Sequence, residues 1–224
     1  MLEEKEARAA VLAAAKGMLD HRLTSGTSGN VSARLDGGTV VITPSGVPYQ
    51  DMGPGDLVVI TLEGEPVTPG AVSPGTGGLV PSSEHQLHTA CYQAFPEIGA
   101  VLHSHPPYAS MFAAAREPVP AVIDEAVIFL GGDIPVARYA ISGSAGVGTG
   151  AVAMLAARAS ALLASHGLVT IAATPAQALH HTVVSEHCAQ VAWGTRALGG
   201  HTPLPAETLE TFGEAYRRGR NRLS

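Results

Sequence analysis

The residues of this chain best suited to chemistry are His103 and His105, which end an apolar run. The run Ile98–His105, IGAVLHSH, is partly β-branched and is closed by Pro106-Pro107, which predicts a strand. Residues i and i+2 of a strand share a face, so the two imidazoles would lie side by side. Neutral imidazole is a good ligand for zinc and its first-row neighbours. The spacing therefore predicts a metal site at the end of a strand.

His166 is the candidate for a third ligand, because a catalytic metal usually needs three protein ligands and an open position. It lies in a second apolar run, ALLASHGLVTIAA, which predicts a strand over Ala161–Ala172. The alternative is that the three residues are unrelated core or surface histidines. A motif of two histidines and one distant partner does not by itself separate these interpretations.

The segment Pro81-Ser82-Ser83-Glu84 is typical of a helix start, and the helix it begins is predicted to reach Phe95. Ser82 or Ser83 suits the N-cap, and Glu84 falls in the first turn. In one interpretation the glutamate only caps the helix. In the other, the free N–H groups and hydroxyls bind an anion such as phosphate, and Glu84 lies beside it as an acid/base group.

Two more turns share the small, hydroxyl-rich character of Ser82-Ser83. They are Thr27-Ser28-Gly29-Asn30 and Thr43-Pro44-Ser45-Gly46. Each offers hydroxyl, amide or backbone donors without bulk, so together they could hold a phosphate group without a lysine. Each taken singly is typical of an ordinary turn.

The composition excludes several classes of protein. The chain has 224 residues and a net charge of −6, with no basic patch, which argues against nucleic acid. The longest apolar stretch, residues 145–163, is interrupted by glycines and Arg158, so no membrane span is expected. The charged N-terminus is not that of a signal peptide. Cys91 and Cys188 are predicted to be free, buried thiols of a reducing, cytoplasmic compartment.

Lysine is nearly absent, and this absence restricts the possible chemistry. Lys5 and Lys16 are the only lysines, and both lie in the first predicted helix. A Schiff-base mechanism requires a lysine in a pocket. Chemistry on a carbonyl would therefore depend on a metal. The glycines of residues 146–150 do not have the spacing of a dinucleotide-binding loop and are interpreted as a helix start.

The predicted elements alternate irregularly, which favours one domain over residues 1–224 with a mixed sheet covered by helices. A hairpin is expected from Val31–Leu35 and Thr39–Thr43, and a surface loop from Leu62–Pro81. The remaining predicted strands are Leu57–Thr61, Ala126–Leu130 and Ile134–Ala137, and the remaining helices are residues 3–22, Tyr108–Ala115, Val147–Ala159, Pro175–Leu198 and Pro205–Arg222.

Six segments, in this order, resemble the class II aldolase/adducin family, and in particular its L-fuculose-1-phosphate aldolase-type enzymes. They are TSGTSGNVSAR, VITPSGVPY, PSSEHQLH, VLHSHP, GGDIPV and SHGL. The resemblance implies an α/β fold of three layers, with a central, mostly antiparallel sheet flanked by helices. It also implies a homotetramer with active sites at subunit interfaces.

The resemblance further implies the roles of individual residues. Zinc, or another divalent first-row metal, would be bound by His103, His105 and His166, and Glu84 would be the acid/base residue. The substrate would be a small phosphorylated sugar, a ketose 1-phosphate cleaved to dihydroxyacetone phosphate and an aldehyde. The residues implied in phosphate binding are Thr27, Asn30, Ser45, Gly46, Ser82 and Ser83. Burial beside the phosphate is expected to raise the pKa of Glu84.

One position departs from the family pattern. Fuculose aldolases carry an interfacial tyrosine where this chain has Asp124, followed by Glu125, and their second tyrosine corresponds to Tyr216. Asp124 and Tyr216 are therefore the candidates for the aldehyde end. A pentulose-5-phosphate 4-epimerase is the first alternative, although such enzymes carry an aspartate in place of Glu84. A non-catalytic, adducin-like interaction module is the second.

Overall fold

The central layer is one seven-stranded sheet, seen in a computed structural model that describes residues 2–67 and 78–221. Its spatial order is β3-β2-β1-β4-β7-β6-β5, and every neighbouring pair is antiparallel except β5 with β6. This confirms the predicted, mostly antiparallel sheet. The strands are β1 (Asn30–Arg34), β2 (Val40–Ile42), β3 (Val58–Ile60), β4 (Ala100–Ser104), β5 (Val136–Ala137), β6 (Ser160–Leu163) and β7 (Gly167–Ala172).

Helices cover both faces of the sheet. In the described residues they are α1 (Glu4–Asp20), α2 (His85–Ala94), α3 (Pro107–Ala115), α4 (Asp124–Leu130), α5 (Ala145–Leu155), α6 (Pro175–Ala197) and α7 (Ala206–Asn221). The helices α1, α3, α4 and α6 pack on one face, and α2 and α5 pack on the other. The last helix, α7, packs against α4. None of the described helices combines the length and the apolar composition that a bilayer crossing requires.

Alternation along β4 decides which side chains face which layer. Leu102 joins the apolar cluster beneath α1, whereas Val101 joins the one beneath α2 and α5. His103 has the same parity as Val101 and so points toward the α2 and α5 side. The strand therefore delivers its histidine to the layer in which Glu84, just before α2, also lies.

Two predicted strands are wrong. Residues Ala126–Leu130 belong to the helix α4, which has Asp124 and Glu125 in its first turn and ends at Gly131 with a φ of 85°. A short apolar run cannot distinguish a strand from a buried helix, and here the acidic start and the glycine end favour the helix.

The single strand predicted over Ala161–Ala172 is instead a hairpin of β6 and β7. Ser165, in the connection between them, has a φ of 55°, in the left-handed region that breaks a strand. His166 therefore lies in a turn rather than within a strand. Half of the predicted loop Leu62–Pro81, residues 68–77, lies outside the described residues. Cys91 and Cys188 are free and buried, as expected.

The contact between α2 and α5 depends on Gly148. A Cβ atom at this position would lie 2.7 Å from Ala90 Cβ and 3.1 Å from the Gln86 carbonyl oxygen. The missing side chain lets the two helices approach closely, and this approach fixes the helix that follows Glu84. The glycines of this segment thus serve helix packing, as their interpretation as a helix start allows.

Gly148→Ala is expected to lower the free energy of unfolding by about 1–2 kcal/mol, because α5 must move away from α2. Gly150→Ala in the same helix is the matched control. Its added Cβ would meet ordinary contacts at 3.5 Å or more, so the gain in helix propensity should stabilise the fold by about 0.5–1 kcal/mol. Chemical denaturation measures both changes, and equal effects would contradict the packing argument.

Candidate metal centre and its carboxylate

Three imidazoles, from His103, His105 and His166, converge at one end of the sheet, and we call this group the histidine cluster. The ring centroids are 4.8 Å apart for His103 and His105, and His166 lies 4.6 and 5.1 Å from them. One ring nitrogen from each residue lies within 4.8 Å of the others. Among residues 2–67 and 78–221, this is the one group of histidine, cysteine or acidic side chains arranged to hold a metal ion.

Close backbone packing brings the third histidine to the other two. Gly167, the first residue of β7, lies against the end of β4. A Cβ atom there would stand 2.5 Å from the Ser104 carbonyl oxygen and 2.6 Å from His105 Cδ2. Such contacts are too short for any side chain, so a glycine after His166 is required for the cluster to form.

The orientation of the imidazoles suits a metal. The Nδ1 of His103 lies 2.9 Å from the Leu168 carbonyl oxygen, which can only accept, so Nδ1 is a donor and Nε2 is the nitrogen that faces the cluster. That Nε2 lies 2.9 Å from the Nε2 of His105. Burial, and then the neighbouring His103 and His166, lower the pKa of His105 to about 4, so its imidazole is neutral. Three imidazole nitrogens that converge in this way fit a divalent cation, and a carbonyl behind a ligand is the usual support.

The carboxylate of Glu84 lies directly over the cluster. Its Oε2 is 3.1 Å from His103 Nε2, and its Oε1 is 3.2 Å from His166 Nε2. The Asn30 amide donates to Oε2 at 3.0 Å, and the Ser142 hydroxyl donates to Oε1 at 2.9 Å. Both carboxylate oxygens thus have hydrogen-bond partners, as a side chain that is only 8% exposed requires.

The expected rise in the pKa of Glu84 is wrong for this arrangement. Burial alone raises it, but hydrogen bonds with His103, His166 and Asn30 outweigh burial and hold the pKa well below its usual value. The carboxylate is therefore ionised at neutral pH. Donors from three sides, which burial alone does not reveal, account for the error.

Glu84 is the N-cap residue of α2, and its side chain makes no capping bond. The helix begins at His85, two or three residues later than the serines had suggested. Ser82 instead accepts a hydrogen bond from the Glu84 backbone at 3.3 Å. A helix start thus aims the carboxylate at the metal site rather than at its own N–H groups.

The three small-residue turns meet next to Glu84. Pro44 and Pro81 form an antiparallel bridge, and the backbone N–H of Ser82 donates to the Thr43 carbonyl oxygen at 3.1 Å. The Tyr49 hydroxyl donates to the Gly29 carbonyl oxygen at 2.5 Å. We call the resulting patch the donor-rich surface; its members are Thr27, Asn30, Ser45, Gly46, Ser82 and Ser83. Asn30 and Ser82 are buried and the other four are partly or fully exposed.

Two contributors to the site had not been expected from the sequence. Ser142 lies in a small-residue turn, ISGS, of the same kind as the other three, and that similarity could have identified it. His88 is the second contributor. Its Nε2 contacts Asn30 Oδ1 at 2.5 Å, and the neighbouring His85 bonds to the Ser82 carbonyl oxygen.

Asp124, Glu125 and Tyr216 lie apart from the histidine cluster within this chain. Asp124 and Glu125 are exposed in the first turn of α4. Tyr216, in α7, packs against Gly131 and lines a separate, mostly apolar cavity of about 460 Å³ with Phe129 and other residues. None of the three cluster histidines lines that cavity. Burial is the main cause that raises the pKa of Tyr216.

Comparison with known proteins assigns the family. Residues 9–193 match the model of the class II aldolase and adducin N-terminal domain. The chain belongs to this family. A class II aldolase, the 5-deoxy-D-ribulose 1-phosphate aldolase of Bacillus thuringiensis serovar kurstaki, is 32% identical over 96% of this chain and 97% of its own. The structure of an L-fuculose 1-phosphate aldolase superposes with a TM-score of 0.86 at 30% identity, over 95% of this chain and 96% of that one.

A relative named for a different reaction has a similar sequence identity to this chain. The L-ribulose-5-phosphate 4-epimerase UlaF of Salmonella paratyphi C is 34% identical over 79% of both chains. Class II aldolase relatives of this chain thus act on several sugar phosphates. Membership alone does not select among them.

Gly167→Ala is expected to separate the β6–β7 turn from β4 and to lower zinc affinity by about 10–100-fold, as changes beside metal ligands do. Zinc titration of the chelator-treated protein measures the effect. Gly194→Ala in α6, where an added Cβ meets nothing within 4 Å, should bind zinc as the wild type does. Unchanged affinity in both variants would contradict the packing requirement.

Proposed function

We propose that this protein is a zinc-dependent class II aldolase that reversibly cleaves a ketose 1-phosphate to dihydroxyacetone phosphate and an aldehyde. The observation that carries the proposal is the position of Glu84, whose two oxygens lie 3.1 and 3.2 Å from two imidazoles of the histidine cluster. A carboxylate beside a three-histidine metal site can exchange a proton with a carbon next to an activated carbonyl.

His103, His105 and His166 would hold the metal, with zinc the first choice because three imidazoles and an open position suit it. When bound, the metal supplies Lewis-acid stabilisation of the negative charge that develops on the substrate oxygens, worth several kcal/mol. No lysine of this chain lies in the donor-rich surface or the histidine cluster, in keeping with metal rather than Schiff-base chemistry.

The donor-rich surface would hold the phosphate group. Its exposed members, Thr27, Ser45, Gly46 and Ser83, offer hydroxyls and backbone N–H groups next to the buried amide of Asn30. An anion seated there lies beside Glu84 and the start of α2, where the helix dipole favours negative charge. The phosphate end of the substrate would thus orient the reacting carbons toward Glu84.

In the cleavage direction the C4 hydroxyl would give its proton to a base at the aldehyde end, for which Asp124 of a neighbouring subunit is the candidate, and the C3–C4 bond breaks. The aldehyde leaves, and the electron pair of that bond stays on C3 of dihydroxyacetone phosphate as its enediolate. Glu84, which must first take up a proton from solvent, then delivers it to C3. In the synthesis direction Glu84 removes that proton as a carboxylate, the form that its lowered pKa favours.

The substrate is proposed from chemistry and from the relatives. A relative is named 5-deoxy-D-ribulose 1-phosphate aldolase, and cleavage of that sugar between C3 and C4 would give acetaldehyde. The resemblance to fuculose aldolases puts Asp124 where those enzymes carry a tyrosine, and this supports a difference at the aldehyde end. We therefore propose a short aldehyde, with acetaldehyde tested first against lactaldehyde and glycolaldehyde.

A 4-epimerase is the second candidate, supported by the epimerase relative. It would break the same bond, rotate the retained aldehyde and form the bond again. Incubation with candidate ketose 1-phosphates distinguishes the two, because an aldolase releases dihydroxyacetone phosphate to a coupled dehydrogenase. Conversion of a pentulose 5-phosphate to its C4 epimer, with no release, would instead identify the epimerase. Neither reaction, in metal-loaded protein, would support the non-catalytic interaction module.

Assembly and location follow from the same proposal. We expect the chain, taken as one domain over residues 1–224, to form a cytoplasmic homotetramer with its active sites between subunits. The exposed apolar residues Ile128 and Phe129 of α4 lie close to Asp124 in sequence and are suited to such an interface. Asp124 or Glu125, and Tyr216 less directly, would then reach the metal site of a neighbouring subunit.

His166→Ala is expected to abolish dihydroxyacetone phosphate release and to lower bound metal below one per subunit, because two imidazoles bind zinc much more weakly than three. Elemental analysis and the coupled assay are run on the same samples. His187→Ala, an exposed histidine of α6, is the control and should keep both properties. Full metal occupancy in His166→Ala would remove His166 from the ligand set.

Glu84→Gln is expected to keep metal and substrate binding but to lose proton transfer. Exchange of the C3 proton of dihydroxyacetone phosphate with deuterium, followed by NMR, should slow by about 10²–10⁴-fold. Glu117→Gln, at an exposed ion pair with Arg196, should exchange at the wild-type rate. Near-normal exchange in Glu84→Gln would show that Glu84 does not transfer the proton and only forms part of the helix start.

Asp124→Asn should slow cleavage far more than it slows C3 proton exchange, because only cleavage involves the aldehyde oxygen. Mixing Asp124→Asn with Glu84→Gln chains should restore part of the cleavage activity, since some interfaces would then combine two intact halves. Native mass spectrometry confirms that subunits have exchanged. No recovery after confirmed exchange would place Asp124 outside the neighbour's site.

A further inference from the structure

A chain of buried polar groups runs from Glu84 into the core between α2 and the sheet. The Asn30 amide nitrogen contacts Glu84 Oε2 at 3.0 Å, and Asn30 Oδ1 contacts His88 Nε2 at 2.5 Å. On the other side of the imidazole, Nδ1 contacts Ser32 Oγ at 2.6 Å, and Ser32 contacts the Tyr92 hydroxyl at 2.9 Å. His88 and Ser32 are fully buried.

The donors and acceptors along this chain can be ordered from one end. The Asn30 amide turns its NH₂ group toward Glu84 and its oxygen toward His88, and an amide oxygen can only accept. The Nε2 of His88 must then carry the proton, and its Nδ1 must accept from the Ser32 hydroxyl. The Tyr92 hydroxyl is left to donate to Ser32. Each group of the chain is thereby satisfied with one arrangement of protons.

We propose that His88 is a positioning residue, which fixes the orientation of the Asn30 amide and through it holds Glu84 over the histidine cluster. This inference rests on the proposed function of Glu84. Without a donor at His88 Nε2, none of these hydrogen bonds prevents the Asn30 side-chain amide from rotating by 180°. Its oxygen would then face the carboxylate, and the repulsion would displace Glu84 and remove a donor from the phosphate end.

The surroundings of His88 separate this role from simple core filling. Burial is the main cause that lowers its pKa, to about 3, so the imidazole is neutral and has one donor and one acceptor. The charged or titratable groups that face it are Glu84, His85 and His103. By contrast His181, the other buried histidine on a helix, bonds through Nδ1 to the Ile171 backbone carbonyl oxygen. That contact supports a strand and leads to no reacting group.

Two conservative variants distinguish positioning from packing. In His88→Gln the amide nitrogen stands as far from Cβ as Nε2 does, so it can donate to Asn30. In His88→Asn the shorter amide reaches only the Nδ1 position and Ser32. Gln also fills more of the imidazole's space than Asn does, so thermal unfolding must be measured beside the rate. A packing role predicts rates that follow the stability of each variant, whereas positioning predicts rates that follow the donor at the Nε2 position. His181→Gln is the control for replacing a buried histidine.

The expected result is that His88→Asn slows C3 proton exchange of dihydroxyacetone phosphate by about 10–100-fold, the loss of a hydrogen bond to a charged group, while bound zinc stays at the wild-type level. His88→Gln should recover most of the rate, and His181→Gln should exchange as the wild type does. Thermal unfolding confirms that all three are folded. Equal rates in the Asn and Gln variants, whether both are slow or both normal, would overturn the proposal.

An NMR measurement tests the same inference without activity. Long-range ¹⁵N–¹H spectra of the zinc-loaded protein report the tautomer of each neutral histidine, and His88, assigned from its absence in His88→Gln, should carry its proton on Nε2. A proton on Nδ1 overturns the proposal even in an active enzyme. If the wild type fails to exchange the C3 proton, the proposed function fails, and the tautomer still decides whether His88 orients Asn30.

Discussion

The site depends on the close approach of two backbones, where the start of β7 meets the end of β4 at Gly167. This approach places His166 opposite His103 of β4 and His105, which directly follows the strand. Glu84 then contacts two of the three imidazoles, and hydrogen bonds with them help to lower its pKa. A methyl side chain in place of the Gly167 hydrogen would push the two backbones apart. His166 would then move away from His103 and His105, and Glu84 would lose its contact with His166.

The sequence predicted the features of the site that depend on short-range regularities. Period-two alternation placed His103 and His105 on one face, and capping residues located the start of α2 to within three residues. It failed where tertiary contacts decide. The hydrogen bonds that lower the pKa of Glu84 come from residues up to about eighty positions away in the chain, and no local pattern signals them.

The same reasoning explains the errors in the fold. Residues 126–130 are apolar enough for either a strand or a buried helix, and packing against α6 and α7 selects the helix. The β6–β7 turn passes through a serine in the left-handed region, a conformation that side-chain type does not announce. The sequence does not reveal the partners of His88 for a related reason. A buried histidine is usually satisfied by its surroundings, and only the identity of its partners shows that the chain of hydrogen bonds ends at a reacting group.

The donor-rich surface has a consequence for how binding responds to the medium. Its side chains are hydroxyls and one amide, and it contains no cation. Attraction between opposite charges weakens as ionic strength rises, whereas short, directional hydrogen bonds from neutral groups are little screened. A phosphorylated ligand held there would lose less affinity between dilute buffer and concentrated salt than one held by lysine or arginine side chains. The negative net charge of the protein would repel an anionic ligand and lower its association rate more than it changes its dissociation rate. Changes in salt concentration would therefore act mainly on the association rate.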